Sequence, residues 1–184
     1  MTDRRFLVLF DRFPIEEDQV RSGKNSPEVI IASRCVNVAL FVSGNLRRNV
    51  SISIAWGNPE DLHVVTFPGE TIKRVSPDER SISFFLLKAS RKVRDLSLGQ
   101  SVLMDNGIEV IRADRDALVK AWKPSSVYLA LEGSKDSDFE KTGLFVYGLG
   151  MHANPEGMTE STALPRPPNP ERFILDMNLM SDRE

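Results

Sequence analysis

An α/β fold, with a mostly parallel sheet and helices on both faces, is what this sequence predicts, and three observations lead there. Continuous apolar runs of strand length, Phe6–Phe10, Val127–Leu131 and Leu144–Tyr147, read as strands buried on both faces. Helix-entry signals, notably Ser26-Pro27-Glu28 and Ser76-Pro77-Asp78-Glu79, open helically spaced segments between strands. The two kinds of segment alternate, as crossover connections within one sheet require. At 184 residues a single domain over 1–184 is expected, long enough to bury a proper core.

Taken in order, Phe6–Phe10 is the first strand, and Asp11 to Asn25, polar and carrying Pro14, reads as a loop. Ser26 then caps a helix with Pro27 at N1; Val29, Ala32, Cys35, Val36, Ala39 and Leu40 form its apolar face, Arg34 lies near its middle, and Gly44 stops it. Val50 to Trp56 alternates apolar and small polar residues as a strand does, and Gly57 to Asp61 turns into a second strand, Leu62 to Phe67. The next helix is expected to enter at Ser76 as N-cap, with Pro77 at N1 and Glu79 at N3 reaching back to the Ser76 amide. It runs to about Leu96, because Ile82, Phe85, Leu86, Ala89, Val93 and Leu96 recur at helical spacing. Its outer face carries Lys88, Arg91, Lys92 and Arg94, by default a solvated face, though of the sign that suits a phosphate backbone.

Leu98 to Asn106 reads as an irregular connector, Gly107 to Ala113 as a strand, and Asp114 to Lys123 as a short helix with Asp114 at the N-cap. An acidic loop, Glu132 to Thr142, separates the last two apolar strands. Gly148 to Gly157 follows as a flexible loop at a strand's carboxyl end, where open α/β sheets bind ligands. Leu164 to Pro170 is too proline-rich for a helix, and Glu171 to Met180 resumes a helical pattern.

Composition narrows the function. With 41% hydrophobic and 27% charged residues the chain has the make-up of an ordinary soluble protein. Neither a membrane-length apolar run nor a signal peptide is visible, so a cytoplasmic location is expected. A single cysteine, Cys35, excludes an internal disulfide, and two histidines far apart offer no metal-ligand spacing, so no structural metal is expected. A net charge of −2 argues against nucleic-acid binding by bulk electrostatics. The basic residues nevertheless concentrate in the first half and the acids late, which leaves room for a local basic face.

Capping accounts for Ser76, Pro77 and Glu79 but leaves Lys73, Arg74, Asp78 and Arg80 without an obligatory structural role. Together with Arg34-Cys35-Val36 and Leu46-Arg47-Arg48-Asn49-Val50, the run Ser76-Pro77-Asp78-Glu79-Arg80 closely resembles the archaeal tRNA pseudouridine-54 N1-methyltransferases, a branch of the SPOUT RNA methyltransferases. The resemblance is good from about Ser33 to Ala89, traceable through Gly148, and diverged at both ends. It implies a SPOUT-like α/β knot with a C-terminal trefoil knot, S-adenosylmethionine (SAM) as cofactor, a homodimer, and tRNA as partner.

Carried across residue by residue, the resemblance makes Tyr147, Gly148, Leu149 and Gly150 the first cofactor-binding segment and places Leu164-Pro165 near the second. Arg34, Arg47, Arg48 and Arg80 match family arginines, and Asp78 and Glu79 match its acidic pair. The family's Leu-Ser-Pro and His-Ala-x-His-Cys segments are absent, replaced by Leu164 to Pro170, and its Gly-Arg-Leu-Asp is Asn25-Ser26-Pro27-Glu28 here. N1 of pseudouridine is a weak NH acid, so methyl transfer needs its proton removed or its developing charge stabilised. Asp78 is the carboxylate expected to take that proton, since the cap accounts for Glu79. Arg34 and Arg80 are its expected catalytic companions, and Arg47, Arg48, Lys73 and Arg74 the expected RNA contacts. Two other readings stay open on the residues alone. One is a diverged RNA-binding or dimer-partner protein that has lost the cofactor site, the other an enzyme for a different uridine-like base.

Overall fold

The computed structural model describes residues 2–158 and 160–183. Along the chain run β1 (Arg4–Phe10), α1 (Glu17–Ser22), α2 (Pro27–Leu40), a small ribbon of β2 (Phe41–Val42) and β3 (Asn45–Leu46), then β4 (Val50–Asn58) and β5 (Asp61–Pro68). There follow α3 (Glu79–Arg94), β6 (Ser101–Leu103), β7 (Glu109–Ala113), α4 (Arg115–Trp122), β8 (Val127–Leu131), β9 (Gly143–Gly148), β10 (Ser161–Pro165) and α5 (Pro170–Ser181). One eight-stranded sheet has the order β10-β8-β9-β1-β4-β5-β7-β6.

From β10 through β8, β9 and β1 to β4 every pairing is parallel, so these strands end at one carboxyl edge. The other three pairings are antiparallel, which departs from strict alternation. For β4 and β5 the reason is the length of the connection: only Pro59 and Glu60 separate them, too few residues for a crossover.

Alternation along β1 sorts the core onto two faces. Phe6, Val8 and Phe10 join the buried residues of α2, α3 and α5, whereas Leu7 and Leu9 face the other way, into a cluster with Leu118 of α4. Ser26 caps α2 by accepting from the Val29 amide, and Asp114 caps α4 by accepting from Ala117, as their sequences predict.

Four expectations are corrected. The segment expected to be loop between Asp11 and Asn25 contains α1, favoured by Glu17 and Asp18 in its first turn and closed by Gly23 at φ 71°. Within the expected connector, β6 is an edge strand paired only with β7 and exposed at every residue, so it has no buried face to pattern its sequence. The proline-rich stretch begins as edge strand β10, with Pro165 as its last residue, a position proline tolerates. Helix α2 stops at Leu40 rather than Gly44, because the next two residues fold back through Ser43 and Gly44, both at positive φ.

Near the amino edge of the parallel strands, Asp182 at the end of α5 accepts from Arg47 and pairs with Arg4, while buried Asn178 bonds the Val38 carbonyl. These contacts fasten α5 beside α2. At the antiparallel end, Arg112 grips Asp61 with two hydrogen bonds, 2.8 and 2.7 Å, and that bonded guanidinium lowers the Asp61 carboxyl below its usual value. A carboxyl depressed in the folded chain contributes stability in full above its usual pKa, near 3.8, and loses it as pH falls through the folded value. Asp61→Asn is therefore expected to unfold at lower denaturant concentration than the parent at neutral pH. The two should converge on acidification, and parallel curves at all pH values would remove the pair from the stability balance.

Candidate functional site

The carboxyl ends of β8, β9 and β10 meet the first turn of α5, and the side chains there form a connected group. Tyr147, nearly the last residue of β9, donates its hydroxyl to the Pro167 carbonyl (2.5 Å) and lies beneath the Arg166 guanidinium, 4.0 Å from its ring centre. Burial pushes the Tyr147 phenol up, so it remains a donor at neutral pH. Phe173 of α5 packs on the same ring at 5.8 Å. Phe139, Leu164, Pro165, Arg166, Phe173 and Met177 line a groove of about 540 Å³ at this point, with Asp136 and Asp176 among its polar groups. That is the size and mixed character of a small-molecule site.

On the other flank of the same helical turn stands Glu171. Its Oε1 is 3.9 Å from Nη1 of Arg34 on α2, and its buried Oε2 has no hydrogen-bond partner among the described residues. A buried carboxylate oxygen left unsatisfied costs free energy, so its position calls for an explanation, and a proton-accepting role is one. Cys35 lies beside it, fully buried, and burial together with the Glu171 charge pushes its thiol well above its usual value. Cys35 is therefore an inert core residue.

A second group gathers at the start of α3. Asp78, not Ser76, is the N-cap: its Oδ1 accepts from the Ser81 amide at 2.8 Å, and the Ser81 hydroxyl accepts from the Ser76 amide at 2.9 Å. Proline fits just before a cap as well as just after one, and the Ser81 hydroxyl decides the register. Glu79 instead accepts from Asn25, at 3.4 Å. The cap expected of Ser76 and Glu79 is thus made by Asp78. Arg80 is exposed and no described residue pairs with it; Arg74, at φ 66°, pairs with exposed Asp105 at 3.5 Å, and the Lys73 side chain is exposed. This cluster joins the first through α2, where Asn37, one turn beyond Arg34, donates to the Pro77 carbonyl.

Other expected residues have structural work. Arg47 is largely buried and all its nitrogens are engaged, by Asp182 and by the Val38 and Ala39 carbonyls at the end of α2. It is a fastening for α5 rather than a free RNA contact. Arg48 donates to the Gly69 carbonyl and borders a second groove with Lys73. In the glycine loop, a Cβ on Gly148 would strike the His152 carbonyl, and Gly150 sits at φ 57° against the Asp11 carboxylate, which also accepts from the Met151 amide. Leu149 donates its amide to Leu9. Of the expected cofactor residues, then, Leu164 and Pro165 line the 540 Å³ groove and buried Tyr147 lies behind its Arg166, Pro167 and Phe173 wall, whereas Gly148 and Leu149 pack on the chain's own backbone and Gly150 on the Asp11 side chain. Among the described residues no three His, Cys, Asp or Glu are placed to hold a metal ion, and no helix is long and apolar enough to cross a membrane.

Comparison with known proteins bears directly on this arrangement. Residues 20–163 match the model of the family described as "Putative SAM-dependent RNA methyltransferase". The chain belongs to that family. Its relatives include the tRNA (pseudouridine(54)-N(1))-methyltransferase of Methanococcus vannielii, 34% identical over 134 residues, covering 70% of this chain and 66% of that protein. Proteins of the same name from Methanocella arvoryzae and Methanopyrus kandleri are 31% and 29% identical over 156 residues. They cover 82% and 83% of this chain and 79% and 74% of their own lengths. The match thus spans just under two thirds of the Methanococcus vannielii relative. The family match ends at residue 163, one residue before Leu164, so the groove's α5 wall and Glu171 lie beyond it. Glu171 and Arg166 are the site residues that sequence reasoning missed. An acid in a helix's first turn is ordinary, and nothing local told that its oxygen would be left unpartnered.

Proposed function

We propose that this protein transfers a methyl group from SAM to N1 of a pseudouridine in tRNA, and the observation that carries the proposal is the Arg34–Glu171 pair flanking the α5 groove. Family membership and the relatives' names support the reaction class. Bound SAM supplies an electrophilic methyl on a sulfonium. The groove's apolar wall of Phe139, Leu164 and Phe173 suits an adenine, and Asp136 and Asp176 are acceptors for hydroxyl or ammonium groups, so the residues present fit such a cofactor.

Glu171 would take the N1 proton as the methyl leaves the sulfonium, its S–C bond breaking and the N1–C bond forming, while Arg34 donates to a uracil carbonyl. The reasoning that singled out Asp78, a carboxylate without a structural task, passes to Glu171 once the cap is known. Arg80, Lys73, Arg74 and Arg48 serve as phosphate contacts on the α3 side, with Asp78 capping their helix. Replacing Lys73 and Arg74 together by alanine is expected to weaken tRNA binding and to reduce the slope of log affinity against log salt by roughly two. An unchanged slope would take both residues off the RNA surface.

The finer architecture is part of the same proposal. β9 lies between β8 and β1 while β10 returns outside β8, and in the β8–β9 connection Phe139 borders the α5 groove and Lys141 donates to the Arg183 carbonyl just past α5; a C-terminal trefoil knot of SPOUT type is our proposal for this region, resting on the family resemblance. Leu179 and Met180, half exposed on α5, are apolar surface for a homodimer, and a tRNA substrate places the protein in the cytoplasm. Calorimetric titration with SAM and its demethylated product tests the core of the reading. Saturable binding of both is expected, whereas no binding at high ligand concentration by the folded protein would leave a non-catalytic RNA-binding relative.

A further inference from the structure

At the carboxyl edge of β1 and β4, away from the α5 groove, three flat side chains stand in a row. Phe13 stacks on Trp56 with ring centres 4.9 Å apart and planes at 22°, and Trp56 stacks on His63 of the neighbouring strand at 5.9 Å and 10°. The row forms a wall of a groove of about 400 Å³, with Glu16 and Arg94 also on its rim. Desolvation first, then nearby Arg112, lowers the His63 pKa, so its ring is neutral at pH 7; Phe13 is buried and Trp56 has a ring on each side, so His63, at the end of the row, is the ring with a face that no other ring covers. Arg112 is neutralised by Asp61. Arg94 is exposed, with no described partner.

Helix α3 connects this groove to the basic cluster at its own start. Arg80, Phe84, Lys88 and Lys92 follow one another at four-residue steps along its exposed side. Phe84 is 47% exposed with the Lys88 ammonium 5.4 Å from its ring centre. One side of the Phe84 ring meets Phe85 edge-on at 5.2 Å, and its exposed half, among cations, suits a partner that is both flat and anionic. At the helical rise per residue, the stripe from Arg80 to Lys92 within this helix is about 18 Å long, room for a few nucleotides of single strand.

We propose that the Phe13–Trp56–His63 groove holds an unstacked base of the RNA, with its phosphate at Arg94 and the adjoining backbone lying along α3 from Arg80 to Lys92. Glu16 accepts from a base N–H on the opposite rim. The inference rests on the RNA-binding reading above and adds to it a stacking site separate from the methylation site.

The test uses the chain's two tryptophans. Trp122 lies on α4, beneath Arg5, so in a Trp122→Phe background the emission reports Trp56 alone. Titration with a uridine-rich RNA oligonucleotide, followed in parallel by anisotropy of a labelled copy, is expected to quench Trp56 along the same binding curve. In the otherwise native chain, His63→Ala is expected to weaken RNA binding roughly five- to hundredfold, and Arg94→Ala to lower the salt slope by about one. These two variants decide the matter if Trp122→Phe does not fold. RNA binding with unchanged Trp56 emission and unchanged affinity in His63→Ala overturns the stacking site alone. Failure of any RNA to bind overturns it together with the reading on which it rests.

Discussion

Glu171→Gln is expected to bind SAM as tightly as the parent and to methylate tRNA roughly 10²- to 10⁴-fold more slowly, the range a positioned general base contributes. Glutamine keeps the shape, so the fold and the groove beyond Phe173 are undisturbed, while the charge facing Arg34 is lost and nothing remains to accept the N1 proton. The companion variant is Asp78→Asn. Asparagine caps a helix as well as aspartate does, so this change removes only the charge. If Glu171 is the proton acceptor, Asp78→Asn turns over at close to the parent rate, and its tRNA affinity rises slightly as an acid is removed from a phosphate-binding end. The opposite pattern, with Glu171→Gln active and Asp78→Asn dead at unchanged SAM affinity, would return the chemistry to the start of α3. Single-turnover rates measured alongside SAM and tRNA affinities separate these outcomes, because a loss confined to binding would appear in KM and not in the chemical step.

The cap of α3, made by Asp78 rather than Ser76, shows where local sequence reasoning stops. Ser26-Pro27 and Asp114 announce their helices correctly, each side chain accepting from the amide three residues on. At α3 two good caps flank one proline, and the choice between them is made by the Ser81 hydroxyl reaching back to the Ser76 amide. Strands with a buried face, such as β1 and β9, were legible from their apolar runs. β6 and β10 were not, because an edge strand with exposed residues has no alternation to display. The basic start of α3 was likewise visible as side chains lacking a structural task. Arg47 has a structural task that no local pattern displays, since it comes from Asp182, 135 residues away. Glu171 escaped notice because its significance is an unpartnered oxygen, a property of packing between α2 and α5 rather than of spacing along the chain.

Gly148→Ala is expected to lower stability by more than about 4 kcal/mol, at the extreme of single-substitution effects. The added methyl meets the His152 carbonyl, a backbone group that cannot swing aside. That carbonyl belongs to the turn beginning at Gly150, which is tied to Asp11 through the Met151 amide and to β4 through the His152 ring and the Gly57 carbonyl. Moving it disturbs the ends of β9, β1 and β4 together. The melting temperature should fall by more than roughly 8 °C, by the same amount with and without tRNA, and the loss should be visible before any ligand is added. Gly150→Ala should cost less, since the atoms its methyl meets first belong to the Asp11 side chain rather than to backbone, although the left-handed backbone there still disfavours alanine. A Gly148→Ala protein as stable as the parent but unable to bind SAM would mean that the glycine admits a cofactor rather than a carbonyl. The first cofactor segment would then return to Gly148–Gly150 from the groove between β10 and α5.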